Sequence, residues 1–242
     1  MQKSTNIITN ETIRRLLKDV KQIMKHPLTD NGIYYIHDDT DITKGYAMII
    51  GQKGTIYYGG YYLFLFDYPF DYPFSPPKVT YMTNDGKTRF NPNLYTCGKV
   101  CVSILNTWSG EKWSSCQTIN SILLTLCTLL NNEPLLNEPG QNNNKSDFIP
   151  YHKSIQYTNI NYAICDMIIH NKTNNYVCQL FYIIMKQQFY INFDELLTFV
   201  QSQSKEITLE YVDIYNMNTY INYSDLETKL IKTKHFIETE TI

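Results

Sequence analysis

The chain has 242 residues, 43% hydrophobic and 18% charged, with a net charge of −2. That length is one full domain with about 70–90 residues to spare, and the apolar fraction is too high for a disordered chain. With 21 basic against 23 acidic residues there is no cationic excess to grip nucleic acid. The longest apolar-rich run, Ile122 to Leu130, is half a membrane span and is broken by Thr125 and Thr128. Met1 to Thr12 is polar and lacks the apolar stretch of a secretory signal. Neither a nucleic-acid partner nor a membrane is therefore expected. The six cysteines (Cys97, Cys101, Cys116, Cys127, Cys165, Cys178) show neither a disulfide-framework spacing nor a C-x-x-C pair. Reduced thiols in the cytosol or nucleus are the expectation. The five histidines are scattered, so a zinc site on Cys97 and Cys101 would need distant partners, and no metal is expected.

The first element is an amphipathic helix. Ile13, Leu16, Leu17, Val20, Ile23 and Met24 recur at helical spacing, Thr9 or Asn10 can cap the start, and Pro27 stops it. Arg14, Arg15, Lys18, Lys21 and Lys25 fall on the opposite face, which reads as solvated. From Gly32 to Met82 the period changes. The runs 33-IYYIH-37, 45-GYAMII-50, 61-YYLFLF-66 and 78-KVTYM-82 are aromatic and β-branched and read as an antiparallel meander. Between the last two lies 67-DYPFDYPFSPPK-78, too rich in proline for a helix or a central strand. Residues 83–116 hold no long periodic element, and a loop of that length in a compact domain is usually functional. A second apolar helix runs from Ile119 to Leu130, with a cap expected near Ser114 or Ser115. The stretch 131–147 reads as a polar loop, and Tyr151–Ile169 and Asn175–Val200 as helices. Residues 206–212 suit a strand and Tyr223 to Phe236 a final helix. The fold class is α+β.

The residues place the candidate chemistry in the 83–116 loop. Cys101 stands in 98-GKVCVSIL-105, after a glycine that permits close backbone approach and before a short apolar run. Such a cysteine is either a small core residue or a nucleophile held at a surface groove. No histidine is near it in sequence, which weakens a cysteine-hydrolase reading.

The run 72-YPFSPPKV-79, then 91-NPN-93, 98-GKVCVSIL-105 and 113-WSS-115 ahead of an apolar helix resembles the ubiquitin-conjugating (UBC) enzymes. The eight-residue spacing from Asn93 to Cys101 and the order helix, meander, catalytic loop, helix also match that family. The resemblance covers about residues 10–170 and is closest to a subgroup of larger enzymes. Those carry an insertion after the catalytic cysteine, here 104-ILNTWSGEKWS-114, the sequence 137-NEPG-140, and a C-terminal extension. The segment 162-YAICDMI-168 and the helical tail are similar to that subgroup too. The organisation implied is a UBC core over 8–170 and a mainly helical extension over 171–242.

The resemblance also implies roles. Cys101 would accept ubiquitin, or a ubiquitin-like modifier, as a thioester from an activating enzyme. Asn93 would hold the loop or donate to the oxyanion as a lysine attacks, though an Asn in Asn-Pro-Asn also serves simply as a turn residue. The helix with Arg14, Arg15 and Lys18 would meet the activating enzyme and a ligase. Phe74 would be the apolar anchor in a ligase groove, beside the loop of Ser115. Protein substrates would supply the lysine, and no cofactor is implied. Three departures stand out. The family's His-Pro-Asn reads Asn91-Pro92-Asn93, a change of loop structure rather than chemistry. Its Trp-Ser-Pro-Ala reads Trp113-Ser114-Ser115-Cys116, which puts standard RING-type docking in question. The carboxylate after the second helix is off its usual spacing, and Glu138 is the candidate, against the plain reading of a solvated loop residue. The competing classes are a catalytically inactive UBC-fold scaffold, which would be expected to have lost Cys101, and a cysteine hydrolase.

Overall fold

A computed structural model describes residues 8–170 and 176–240. Most of the polar N-terminal stretch, and the residues just after the boundary expected at His170, lie outside these. Helix α1 (Asn10–Lys25) is capped by Thr9, whose hydroxyl accepts from the Thr12 amide, and it ends at His26 ahead of Pro27. It leans on the second helix through Leu16, Val20 and Ile23, while Leu17 and Met24 face solvent.

Four strands follow as a simple antiparallel meander: β1 (Ile33–His37), β2 (Lys44–Ile50), β3 (Tyr61–Asp67) and β4 (Lys78–Tyr81). The register pairs Ile33 with Ile49, Met48 with Leu63 and Phe66 with Val79. Successive side chains of a strand point to opposite faces, and here both faces are apolar. Ala47, Ile49, Tyr62, Phe64 and Phe66 join the core beneath α1 and helix α2 (Ile119–Leu129). Tyr46, Met48, Ile50, Tyr61 and Leu63 join a second core on the other side. The cap of α2 is Thr118, in a reciprocal capping box with Ser121, so the helix starts later than the serines at 114 and 115 suggest. The polar loop that follows contains a 3₁₀ turn, Pro134–Asn137, that buries Pro134 and Leu135.

The second core is built by the C-terminal half. Helix α3 (Phe148–Thr158) continues through π-helical Asn159–Asp166 to a last turn, Met167–Ile169. The buried Asn159 faces the sheet, accepting from the Tyr62 hydroxyl at 2.7 Å and donating to the Tyr58 carbonyl at 3.0 Å. Helix α4 (Tyr176–Ser202) lays Phe181, Met185, Phe189, Phe193 and Leu196 into the second core, and Tyr61 donates to the Met185 carbonyl at 2.8 Å. Strand β5 (Thr208–Val212) pairs with β6 (Met217–Ile221), and α5 (Tyr223–Thr239) closes the chain. β6 is not among the expected elements; in the structure Met217, Thr219 and Ile221 are buried while Asn218 and Tyr220 are exposed. Among the described residues no helix is long and apolar enough to cross a membrane.

If α4 is core rather than ornament, Phe189→Ala costs about 3–5 kcal/mol, whereas Ile183→Ala, on the exposed side of the same helix, stays within about 0.5 kcal/mol. Urea denaturation midpoints at constant slope check both.

Candidate active site

The loop carrying Cys101 folds back on itself between β4 and α2. Leu94 bridges to Val100, the Tyr95 amide donates to the Lys99 carbonyl at 2.9 Å, and the chain reverses at Gly98. Gly98 has φ +86°, and a Cβ there would crowd the Tyr81 carbonyl at 3.1 Å. The glycine therefore serves the close packing of this loop on β4, where its carbonyl accepts from the Tyr81 amide at 2.8 Å. After that turn, Cys101 and Asn93 hold each other. The Cys101 amide donates to the Asn93 carbonyl at 2.8 Å, and the Asn93 side-chain amide donates to the Cys101 carbonyl at 2.6 Å. Asn93 Oδ1 is buried with no hydrogen-bond partner. On the other side, Thr107 accepts from the Val102 amide at 2.9 Å, and Asn106 Oδ1 accepts from the Trp113 amide at 2.9 Å.

Asn91, fully buried, supplies the loop's foundation. Its amide nitrogen donates to the Leu129 carbonyl at 2.8 Å, and its oxygen accepts from the Asn93 amide at 2.9 Å. Arg89 fixes the same turn from outside, donating to the Asn91 carbonyl at 3.2 Å and the Pro92 carbonyl at 2.6 Å, with its guanidinium stacked on Tyr95. The expected change of loop structure at position 91 thus has a direct form: a side chain that ties the loop to the end of α2.

Cys101 is 2% exposed, whereas Cys97 and Cys116 are exposed. Burial pushes the thiols of Cys165 and Cys178 up to about 12, which makes them inert core residues. Cys127 is also raised by burial. Among the described residues no histidine is hydrogen-bonded to Cys101, as a cysteine hydrolase would need, and no group of His, Cys, Asp and Glu is arranged to hold a metal ion. Glu138 is half-buried and accepts a hydrogen bond from Tyr215 at 2.8 Å. It is bonded to neither Cys101 nor Asn93.

The expected partner-binding residues converge, with one correction. Arg15 does not lie on the solvated face with Arg14 and Lys18. Its Nε donates to both oxygens of the buried Asp19 at 3.0 Å, and its Nη atoms donate to the Ser115 carbonyl at 2.6 Å and the Gln117 carbonyl at 2.5 Å. Asp19 also accepts from Tyr72 at 2.6 Å, and burial together with that carboxylate pushes the Tyr72 hydroxyl pKa up, so it stays a donor. Trp113 packs on Tyr72 and donates from Nε1 to the Pro73 carbonyl at 2.7 Å. One ion pair and two rings thus tie α1, the proline-rich loop and the 113–118 loop together. The clamp leaves Phe74 66% exposed, and Ser115, Arg14 and Lys18 open on the surface. Helix periodicity misses Arg15 because it reports one helix's face, not the carbonyls another loop brings to it. The visible signal was the acid four residues on, Asp19.

Arg15→Ala leaves the Asp19 carboxylate buried beside one hydroxyl. It costs about 2–4 kcal/mol, at the low end for a broken buried pair because the arginine side chain keeps 19% exposure. Arg14→Ala stays within about 0.5 kcal/mol. Parallel urea titrations of the two variants test the assignment.

A model of the family described as ubiquitin-conjugating enzyme matches residues 15–173. Similar curated proteins include ubiquitin-conjugating enzyme E2 Z of Xenopus tropicalis, 41% identical over 163 residues, covering 66% of this chain and 51% of that one. The Homo sapiens protein of that name is 42% identical over 161 residues, covering 65% and 45%. The putative ubiquitin-conjugating enzyme E2 39 of Arabidopsis thaliana is 46% identical over 99 residues, covering 39% and 31%. The chain spans about half the length of the E2 Z relatives it matches. With the family match running from α1 through the Cys101 loop to the end of the α3 run, on the α+β architecture of helix, meander and C-terminal helices, the chain belongs to the ubiquitin-conjugating enzyme family.

Proposed function

We propose that this chain accepts ubiquitin, or a ubiquitin-like modifier, from an activating enzyme as a thioester on Cys101 and passes it to a lysine or to a ligase. The observation that carries this reading is the paired hold of Cys101 and Asn93 within the segment the family shares. In charging, the Cys101 thiolate attacks the activating enzyme's thioester carbonyl. A carbon–sulfur bond forms, another breaks, and the departing thiolate takes up the proton that the Cys101 thiol gave up. In discharge, a lysine nitrogen attacks, the bond to Cys101 breaks, and the amine proton passes to a carboxylate. Thiol exchange is easy because a free cysteine has a pKa of about 8.5. The lysine is harder: with a pKa near 10.4, under about 0.1% is neutral at pH 7.

Asn93 serves the loop in the resting protein, since its amide already donates to the Cys101 carbonyl. If that amide turns to the developing oxyanion, it contributes about 3 kcal/mol, roughly a hundredfold in rate. Arg14 and Lys18 are proposed to meet the activating enzyme, and Phe74 and the Ser115 loop a ligase, with Arg15 holding that surface in place rather than contacting the partner. We take residues 8–170 as the conjugating core and 171–242 as its extension, working in the cytosol or nucleus.

The chain mixed with activating enzyme, ATP and ubiquitin gives an adduct that thiol reagents remove on a non-reducing gel. Cys101→Ser gives one that resists them, and Cys101→Ala gives none. A reducible adduct on Cys101→Ala moves the thioester to another cysteine, and no adduct on the unaltered chain leaves the scaffold reading.

Glu138→Ala leaves charging, which involves no amine, less affected than discharge onto free lysine, which slows about 10–100-fold at pH 7. The defect shrinks toward pH 9–10 as lysine becomes neutral on its own. Discharge at the unaltered rate at pH 7 removes Glu138 from the chemistry.

A further inference from the structure

The turn between β5 and β6 lies far from Cys101 in sequence, yet it reaches the loop that carries Cys101. Asp147, at the start of α3, anchors it by accepting from the backbone amides of Asp213 and Ile214, both at 3.0 Å. Asn216, with φ 47°, closes the turn, and Lys153 on α3 pairs with Glu210 on β5 at 2.8 Å. Tyr215 projects from this fixed turn. Its hydroxyl donates to Glu138 Oε2 at 2.8 Å. Its ring packs on Tyr151 with centroids 5.7 Å apart and lies 5.2 Å from the Arg89 guanidinium, the group that holds the Asn91 and Pro92 carbonyls.

We infer that Tyr215 is a positioning residue for lysine transfer, through which the C-terminal extension orients Glu138 beside the Asn91–Asn93 turn. The inference rests on the proposed activity and on Glu138 as the carboxylate that accepts the lysine proton. A half-buried glutamate on a polar loop samples several rotamers, each lost on ordering. A donor on a turn anchored by two charge-assisted hydrogen bonds selects one of them before the lysine arrives. Burial and the Glu138 charge push the Tyr215 hydroxyl pKa up, so it stays a donor over the working range. The charged and titratable groups facing it are Glu138 from the loop after α2, Arg89 and Tyr95 from the catalytic loop, and Tyr151 and Asp147 from α3.

The test follows charging and discharge onto free lysine in the full chain for Tyr215→Phe, Glu138→Gln and the double variant. Tyr220→Phe, an exposed hydroxyl on the same hairpin, is the control. Tyr215→Phe is expected to slow discharge about 5–10-fold more than charging, the worth of one hydrogen bond. The double variant is expected to discharge no slower than Glu138→Gln, because both changes remove one function. The Tyr215→Phe defect should also shrink between about pH 7 and pH 9, as that of Glu138→Gln does. Asp147→Asn, which weakens the anchor but leaves the ring, should show the same selective loss. A Tyr215→Phe chain that discharges like the unaltered protein overturns the inference and leaves the activity standing. So does a defect that is independent of pH and additive with Glu138→Gln, which marks Tyr215 as structural only. An unaltered chain that never forms the reducible adduct overturns the activity and this inference together.

Discussion

The constraint on which this molecule depends is a four-stranded sheet with two apolar faces. An antiparallel sheet commonly keeps one face on a core and one in water, with polar residues alternating along each strand. Here β2 is buried from Gly45 through Ile50 and β3 from Tyr61 through Phe64, whichever way the side chains point. Each face must be covered. α1 and α2 cover one, and the π-helical segment with α4 covers the other, with α5 packed against both of these. The C-terminal residues are therefore as much a part of the core as the N-terminal helix.

Covering the second face brings polar groups into contact with it, and the structure pairs them. Asn159 satisfies a tyrosine hydroxyl and a backbone carbonyl where the π-helical stretch crosses the sheet, and Tyr61 finds the Met185 carbonyl. Unpaired, each buried group would cost about 1–3 kcal/mol. On the opposite face the same logic governs the Arg15–Asp19 pair, whose remaining donors and acceptors are taken up by Tyr72 and by two carbonyls of the 113–118 loop. That is the geometry under which a largely buried ion pair repays its desolvation, and it fixes three separate segments in one arrangement.

The Cys101 loop is held by both halves of the chain. Asn91 ties it to α2, Arg89 braces it from the side, and Tyr215 carries the influence of the C-terminal half to both Arg89 and Glu138. A loop so constrained suits the two-step acyl transfer proposed for it. The soft nucleophile needs little help, while the attacking amine needs a prearranged donor, a prearranged base and exclusion of water.

The sequence alone determined the local architecture and pointed to the candidate residues for the chemistry. The helical spacing of Leu16, Val20 and Ile23, the four aromatic and β-branched runs, and the ordered motifs around Cys101 and Asn93 are all short-range signals. The expected elements sit within a few residues of where those signals put them; the exceptions are the cap of α2, which is Thr118 rather than Ser114 or Ser115, and β6, which was not expected. Tertiary structure alone decided that Arg15 is a clamp, that Leu17 and Met24 stay in water, and that Tyr215 meets Glu138. Those outcomes depend on which backbone carbonyl or side chain arrives from up to a hundred residues away, and hydrophobic periodicity carries no information about that. The unbroken apolar runs of β2 and β3 were the one local sign that the sheet would be covered twice, but they could not say which later segment would cover it.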